Sequence, residues 1–261
     1  MNLGAAVGSS IGRKILNSIT GLFFVGFVIG HLTGNFLLFV GPDAFNNYAH
    51  FLTTAFHGVG VLIAEAVMIV FLLTHAWTGF SVWRSKWAAR TKAYEMKGNA
   101  GGKSPKSVAS QTMLYTGVLL LLFIAFHVAQ FKFGVIDGRD PTQHSLMVDG
   151  VEVRNLYGLV VDSFSVWYWT FGYIVIMAML GTHLWHGVWS AFQSLGLAND
   201  SYLPVIRQVA HVMAVLLALG FLALPGAIFL FNDSFQKQDQ AYIQLHDTRA
   251  VAPPAPASLG E

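Results

Sequence analysis

The chain has 261 residues, of which 54% are hydrophobic and 11% are charged, and its net charge is +2. Soluble globular chains carry about 25% charged residues, so this composition excludes an ordinary soluble domain and predicts an integral membrane protein. The chain contains no cysteine, which excludes disulfide bonds, thiolate metal sites and iron–sulfur clusters held by this chain.

Five apolar segments are long enough to span a bilayer, because a helix needs roughly 20 residues to cross it. The predicted spans cover residues 11–40, 56–83, 108–133, 164–195 and 203–231. Residues 1–10 are expected to form a short N-terminal segment, residues 134–163 a small outer cap, and residues 232–261 a polar, partly disordered tail. The predicted fold class is an all-α integral membrane protein, with one domain of five transmembrane helices over residues 11–231.

Lysine and arginine are concentrated in alternate loops, which sets the orientation because these residues favour the cytoplasmic side of a membrane. The loop from Arg84 to Lys106 holds seven of them against one acid, and the loop over residues 41–55 holds none. The region over residues 132–163 has five acids against three basic residues. We therefore expect a multi-pass protein of the inner (cytoplasmic) membrane, with its N-terminus cytoplasmic and its C-terminus outside.

Four of the five spans carry a histidine well inside the apolar run: His31, His75, His127 and His183. A histidine at membrane depth is costly without a partner, so it indicates a functional site. A helix rises about 1.5 Å per residue, and the direction of each span then gives the depth of each ring. His31 and His127 lie near the outer side, whereas His75 and His183 lie near the inner side. The sequence therefore predicts two bis-histidine haems, one above the other.

Two further histidines compete for the inner pair. His186 follows His183 by one helical turn, and His211 lies at inner depth on the fifth span. Either could ligate a haem, bind a propionate or line a quinone pocket. The other histidines lie at span ends or in loops and are expected to be ordinary polar residues; they are His50, His57, His144 and His246.

Glycines follow three of the four span histidines at three or four residues, and such spacing puts them on the same helix face. They are Gly34, Gly79 and Gly187. Glycine there would admit a flat macrocycle, although small residues also let transmembrane helices pack closely.

Glu65 is the one carboxylate within a predicted span. Acids in membranes often belong to proton paths, so Glu65 is a candidate for proton transfer near a quinone, with a helix-to-helix hydrogen bond as the alternative. Polar residues near the inner surface could contact haem propionates or a quinone; they are Ser10, Arg13, Lys14, Ser18 and Arg84. Arg13 and Lys14 could equally be topology anchors.

Four stretches, in this order, resemble a known family: SSIGRKILNSITGLFFVGFVIGHLTGN, LLTHAWTGF, FIAFHVAQF and GTHLWHGVWSAFQSLG. They are similar to the single-chain, five-helix di-haem cytochrome b membrane-anchor subunit of succinate dehydrogenase and fumarate:quinone reductase (complex II). The resemblance covers residues 9–231, the five-span core. It implies two haems b, one held by His31 and His127 and the other by His75 and His183.

The resemblance also implies the partners and the reaction. A flavoprotein with FAD and the dicarboxylate site, and an iron–sulfur protein, would dock on the cytoplasmic face. The chain would pass electrons between the iron–sulfur subunit and a membrane quinone, expected to be menaquinone, within a complex that can form a higher oligomer. It would not oxidise succinate by itself, and no nucleic-acid partner is expected.

In that family the helix-four ligand is followed by glycine at plus four and plus thirteen. Gly187 and Gly196 fit this pattern for His183 and not for His186. Some menaquinol-oxidising fumarate reductases carry a glutamate two residues before this ligand, where this chain has Gly181. That departure favours succinate oxidation over fumarate reduction.

Two other functions are compatible with the sequence. One is a haem b subunit of a different quinone-linked oxidoreductase, such as a formate dehydrogenase, a hydrogenase or a nitrate reductase. The other is a small proton-coupled transporter that uses the histidines as a relay, for which broken helices and more polar residues near the midplane would be expected.

Overall fold

A computed structural model describes residues 8–88, 107–136, 144–148, 151–197 and 199–247. Within these ranges, five helical segments are long and apolar enough to cross a membrane, which confirms the prediction of an all-α membrane architecture with five spans. They are Ser10–Phe39, Pro42–Ala88, Val108–Lys132, Trp167–Ser194 and Leu203–Leu230. The basic loop beyond residue 88, the acids Asp137, Asp140 and Asp149, and the tail after residue 247 lie outside the described residues.

The described elements are eight α-helices, one two-stranded hairpin, two 3₁₀ turns over Phe36–Phe39 and Ala55–Gly58, and one π-helical turn. The helices are α1 Ser10–Asn35, α2 Pro42–Thr54, α3 Val59–Ala88, α4 Val108–His127, α5 Leu156–Phe164, α6 Trp167–Ser194, α7 Leu203–Leu230 and α8 Asn232–His246. The antiparallel strands β1 Ser145–Val148 and β2 Val151–Arg154 precede α5. A π-helical turn, Val128–Lys132, extends α4.

Local signals account for the ends of the long helices. The hydroxyl of Ser9 accepts from Gly12 N at 3.0 Å and caps α1, and Ser107 caps α4 in the same way. At the end of α6, Gly196 adopts a φ of +74°, and Leu197 N bonds the Phe192 carbonyl at 3.0 Å. This is the glycine-terminated arrangement that closes many helices, so Gly196 has a structural role at the end of this span.

The long helices pack around α6, which contacts α7, α4 and α1, while α3 packs on α1. Small residues allow the closest of these approaches. A Cβ placed on Gly181 would lie 2.9 Å from the Cβ of Ala218 in α7. The position where some relatives of the resembled family carry glutamate is therefore closed by α7 in this chain.

At one end of the bundle, α2, α5, α8 and the hairpin form a cap that is larger than the predicted cap over residues 134–163. A buried polar network joins three of these elements. Asn46 in α2 donates to Asn155 Oδ1 at 2.9 Å, and Asn155 donates to Asp239 Oδ1 in α8 at 2.8 Å. Asn155 also caps α5 by accepting from Gly158 N at 3.1 Å. Two of these elements, α2 and α8, occupy stretches where the sequence indicated only a connecting loop or a polar tail.

Candidate functional site

The two histidine pairs are named outer and inner after the sides of the membrane predicted for them. The outer pair consists of His31 in α1 and His127 at the end of α4. Their ring centroids are 5.8 Å apart and their planes are perpendicular, at 90°. Phe27 stacks on His31 at 5.5 Å, and Phe123 lies against His127 at 5.6 Å. These aromatic rings cover both imidazoles and restrict the access of water.

The inner pair consists of His75 in α3 and His183 in α6. Their ring centroids are 6.5 Å apart, with an angle of 67° between the planes. Phe24 lies edge-on to His75 at 6.2 Å. The structure therefore brings together the same two pairs of rings that helix direction and depth had paired, each from two different helices.

Hydrogen bonds fix the tautomer of His75. Its Nδ1 lies 3.1 Å from the carbonyl oxygen of Asn17 and 3.3 Å from the hydroxyl of Thr20. A carbonyl oxygen only accepts, and the Thr20 hydroxyl already donates to the Leu16 carbonyl at 2.7 Å. Both groups must therefore accept from Nδ1–H, which leaves the lone pair on Nε2, the nitrogen available to a metal.

The same reasoning applies to His183. Its Nδ1 lies 3.0 Å from the hydroxyl of Thr116 in α4, and that hydroxyl donates to the Thr112 carbonyl at 3.1 Å. The Thr116 oxygen therefore accepts from Nδ1–H, and Nε2 again carries the lone pair. Metal-ligating histidines usually donate their second ring N–H in this manner.

The spacing of both pairs fits an iron atom with two axial histidines. With metal–nitrogen bonds of about 2.0–2.1 Å to each imidazole, the ring centroids should lie about 6 Å apart. The measured separations are 5.8 Å and 6.5 Å. Among the described residues no cluster of three or more His, Asp or Glu side chains could hold a metal ion, and two ligands are all that a bis-histidine haem requires.

The two pairs lie at separate levels along the bundle. Thr20, which contacts His75, precedes His31 by eleven residues in α1, and Thr116, which contacts His183, precedes His127 by eleven residues. At 1.5 Å per residue, both helices place the levels about 16 Å apart. Two independent helices thus give the same vertical separation.

Glycines do lie beside the inner rings, but they are not those the sequence singled out. A Cβ on Gly21 would lie 3.1 Å from His75 Cε1, and a Cβ on Gly117 would lie 3.4 Å from His183 Cε1. The three glycines chosen by spacing face other side chains: Gly34 faces Tyr48, Gly79 faces Asn17, and Gly187 faces Met113. Spacing along one helix could not reveal glycines that leave space for an imidazole ring of the neighbouring helix.

Replacing Gly21 by leucine is expected to displace His75 and to lower the content of the inner haem, because the new side chain would occupy the space of the imidazole. The matched control is Gly26→Leu in the same helix, where an added Cβ meets nothing within 4 Å in the described structure. Haem quantitation on both purified variants tests this. Equal haem content in the two variants would show that Gly21 does not determine the position of His75.

The two competing histidines have other neighbours. The ring of His186 packs on Trp189 at 5.0 Å, and its Nδ1 has no hydrogen-bond partner among the described residues. His211 stacks on Trp185 with centroids 3.9 Å apart and planes 10° apart. These tryptophan contacts distinguish both residues from the two histidine pairs.

The histidines expected to be ordinary polar residues lie in the cap or at its edge. His144 contacts Asp162 at 2.9 Å, and His246 contacts Asp43 at 3.1 Å. His50 and His57 are exposed.

The remaining candidate residues fall at the two ends of the bundle. Glu65 forms an ion pair with Lys132, the last residue of the π-helical turn after His127, which places Glu65 at the outer level. At the inner end, Ser18 is buried and Arg13 is half-buried, with an Nε atom that has no hydrogen-bond partner in the described part of the chain. Three other inner residues are exposed: Ser10, Lys14 and Arg84.

Comparison of the chain with protein-family models, with curated proteins and with solved structures gave no match. Function is therefore inferred from the two histidine pairs and the membrane architecture.

Proposed function

We propose that this chain is the cytochrome b membrane-anchor subunit of a succinate dehydrogenase or fumarate reductase complex. It carries electrons between an iron–sulfur subunit and a membrane quinone through two haems b. The observation that supports this most strongly is the presence of two histidine pairs at two levels of a five-helix bundle. In each pair the rings lie about 6 Å apart, the separation that two metal–imidazole bonds require.

When bound, each haem supplies reversible one-electron exchange, and bis-histidine ligation leaves no open iron position for oxygen chemistry. The protein's part is to hold both ligands and to exclude water. His31 and His127 would hold the outer haem, and His75 and His183 the inner one. Two different helices supply the rings of each pair. The neighbouring phenylalanines would limit the access of solvent, which is a principal control on the reduction potential.

The two ends of the bundle are assigned different partners. The inner end, for which the basic residues of the sequence predict a cytoplasmic location, would bind the flavoprotein and iron–sulfur subunits. The buried Nε donor of Arg13 is suited to a haem propionate there. At the outer level, the Glu65–Lys132 ion pair is the candidate for proton exchange with menaquinone.

The first test is a dithionite-reduced minus oxidised spectrum of the purified protein, with pyridine-haemochrome quantitation per chain. Two haems b per chain are expected. Absence of haem from protein purified out of freshly isolated membranes would contradict the cytochrome proposal.

The subunits that co-purify with the chain test the assignment to complex II. A flavoprotein with FAD and an iron–sulfur protein are expected. A molybdopterin or nickel subunit in their place would reassign the chain to a formate dehydrogenase, nitrate reductase or hydrogenase, while leaving its haem chemistry intact.

A further inference from the structure

A buried amide lies next to the outer histidine pair. Gln130 is 1% exposed and belongs to the π-helical turn that begins directly after His127. π-Turns within helices occur frequently at functional sites. We propose that Gln130 acts through Tyr173 to fix the ring tautomer of His127 and to set the reduction potential of the outer haem. The proposal rests on the haem assignment made above.

Three groups form a continuous hydrogen-bond chain. The hydroxyl of Tyr173 in α6 lies 3.3 Å from His127 Nδ1 and donates to Gln130 Oε1 at 2.8 Å. The amide oxygen can only accept, so the phenolic proton points to Gln130. The phenolic oxygen is then left to accept from His127 Nδ1–H, and the lone pair of His127 is on Nε2, where an iron ligand needs it.

The burial of Gln130 indicates what this side chain contributes. Burying an amide costs free energy unless it is hydrogen-bonded. In the described part of the chain, Tyr173 is the one hydrogen-bond partner of the Gln130 side chain, and its Nε2 has none. A leucine or methionine would fill similar space without that cost, so the specific contribution of Gln130 is its bond to Tyr173.

The outer pair therefore differs from the inner pair in how the ligand is held. At the inner level, the acceptors are the backbone carbonyl of Asn17 and two threonine hydroxyls. The protons of those hydroxyls are bonded within their own helices, Thr20 to Leu16 and Thr116 to Thr112. At the outer level the acceptor is a phenol whose proton is bonded to a second side chain. The outer haem can thus be tuned by a residue that does not touch its ligand.

The expected effect on potential has a definite sign. Donation from Nδ1–H to an acceptor raises the basicity of a ligating imidazole. A more basic ligand favours the ferric state, so it lowers the midpoint potential. Loss of the acceptor should therefore raise the midpoint potential of the outer haem and leave that of the inner haem unchanged.

Optical redox titration of the purified, haem-loaded complex tests the proposal. Tyr173→Phe removes the acceptor of Nδ1–H, and Gln130→Leu removes the acceptor of the phenolic proton. The redox component that is missing in His31→Ala identifies the outer haem. Both variants should raise the midpoint potential of that component, and the shift should be larger in Tyr173→Phe. Gln130→Glu retains an acceptor and should not raise that midpoint. The matched control, Thr116→Val, should raise only the inner midpoint.

The double variant Tyr173→Phe/Gln130→Leu shows whether the two residues act through one hydrogen-bond chain or affect the midpoint potential independently. Because Gln130 is proposed to act through Tyr173, the double variant should shift the outer midpoint no further than Tyr173→Phe alone. A further shift in the double variant would overturn the proposal, as would an unchanged outer midpoint in Tyr173→Phe.

The remaining outcomes are also decisive. If Tyr173→Phe does not assemble, Gln130→Leu with Gln130→Glu gives the same comparison, and equal midpoints in those two variants would overturn the proposal. Retention of two haems with unchanged midpoints contradicts only the Gln130–Tyr173 chain. A wild-type protein without haem contradicts the proposed function itself.

Discussion

Replacing His31 or His127 by alanine is expected to leave one haem b per chain, and replacing His75 or His183 should remove the other haem. In the proposed function each ring would be one of two protein ligands to a haem iron, so its loss would leave that iron with a single protein ligand. The outer and inner levels lie about 16 Å apart along the helices, so the loss at one level should not empty the other.

Pyridine-haemochrome quantitation of each purified variant provides the measurement. His186→Ala and His211→Ala are the matched controls, because these histidines pack on Trp189 and Trp185 instead of on another histidine. Both controls should retain two haems. A control that loses a haem, or a pair variant that retains two, would show that the ligands are assigned to the wrong residues.

The number and type of membrane helices could be predicted because the signal lies within each segment. Length and hydropathy alone gave an all-α fold with five spans, and the structure has five segments of that kind. Three helices were not predicted, α2, α5 and α8, and they are short or polar. The helix α8 buries Phe235 and Asp239 and packs on the other elements of the cap, and a partner surface of that kind is not visible in a local sequence window.

At the candidate site, the depth of each histidine in the membrane could be predicted from the sequence. The side chains that contact each histidine from neighbouring helices could not. The direction of each span was enough to group the histidines into an outer and an inner set. The hydrogen-bond acceptors Thr20, Thr116 and Tyr173 come from the adjacent helix, so finding them requires the rotation and register of two packed helices. A hydroxyl or amide inside an apolar run, such as Thr116 or Gln130, was the available signal.

Helix packing explains why this chain has glycine at position 181. The sequence identified it as the place where a proton-conducting glutamate of some relatives of the resembled family is missing. In the structure, the approach of Ala218 leaves no room for a side chain at this position. The packing of α6 on α7 explains the glycine without reference to proton transfer, so the preference for succinate oxidation stays a prediction.

Asn155→Ala is expected to lower the free energy of unfolding by at least about 3 kcal/mol, the sum of one lost helix cap and two buried groups left unpaired. The substitution removes the cap of α5, which contributes about 1 kcal/mol. It also leaves the buried Asn46 amide and the Asp239 carboxyl without their partner, and each unpaired buried group costs about 1–3 kcal/mol. The control is Asn199→Ala, which removes two bonds to backbone N–H groups at an exposed turn and should cost less.

The pH dependence of this loss of stability tests whether Asp239 is its main source. Burial raises the pKa of Asp239, the Asn155 hydrogen bond lowers it, nearby Asp162 raises it and His144 lowers it. Removing Asn155 should therefore raise the pKa of Asp239 further. A carboxyl whose pKa is raised in the folded state stabilises the fold when protonated, and this stabilisation is lost as the pH rises through the folded-state pKa.

The difference in unfolding free energy between wild type and Asn155→Ala should consequently be largest above the pKa of Asp239, where the charged carboxylate is buried without its donor. It should shrink as the pH falls and the carboxyl becomes protonated. Thermal unfolding in detergent, followed by circular dichroism across a pH series, measures this difference. A loss of stability that is the same at every pH would assign the effect to the helix cap and to Asn46, and would contradict a role for Asp239.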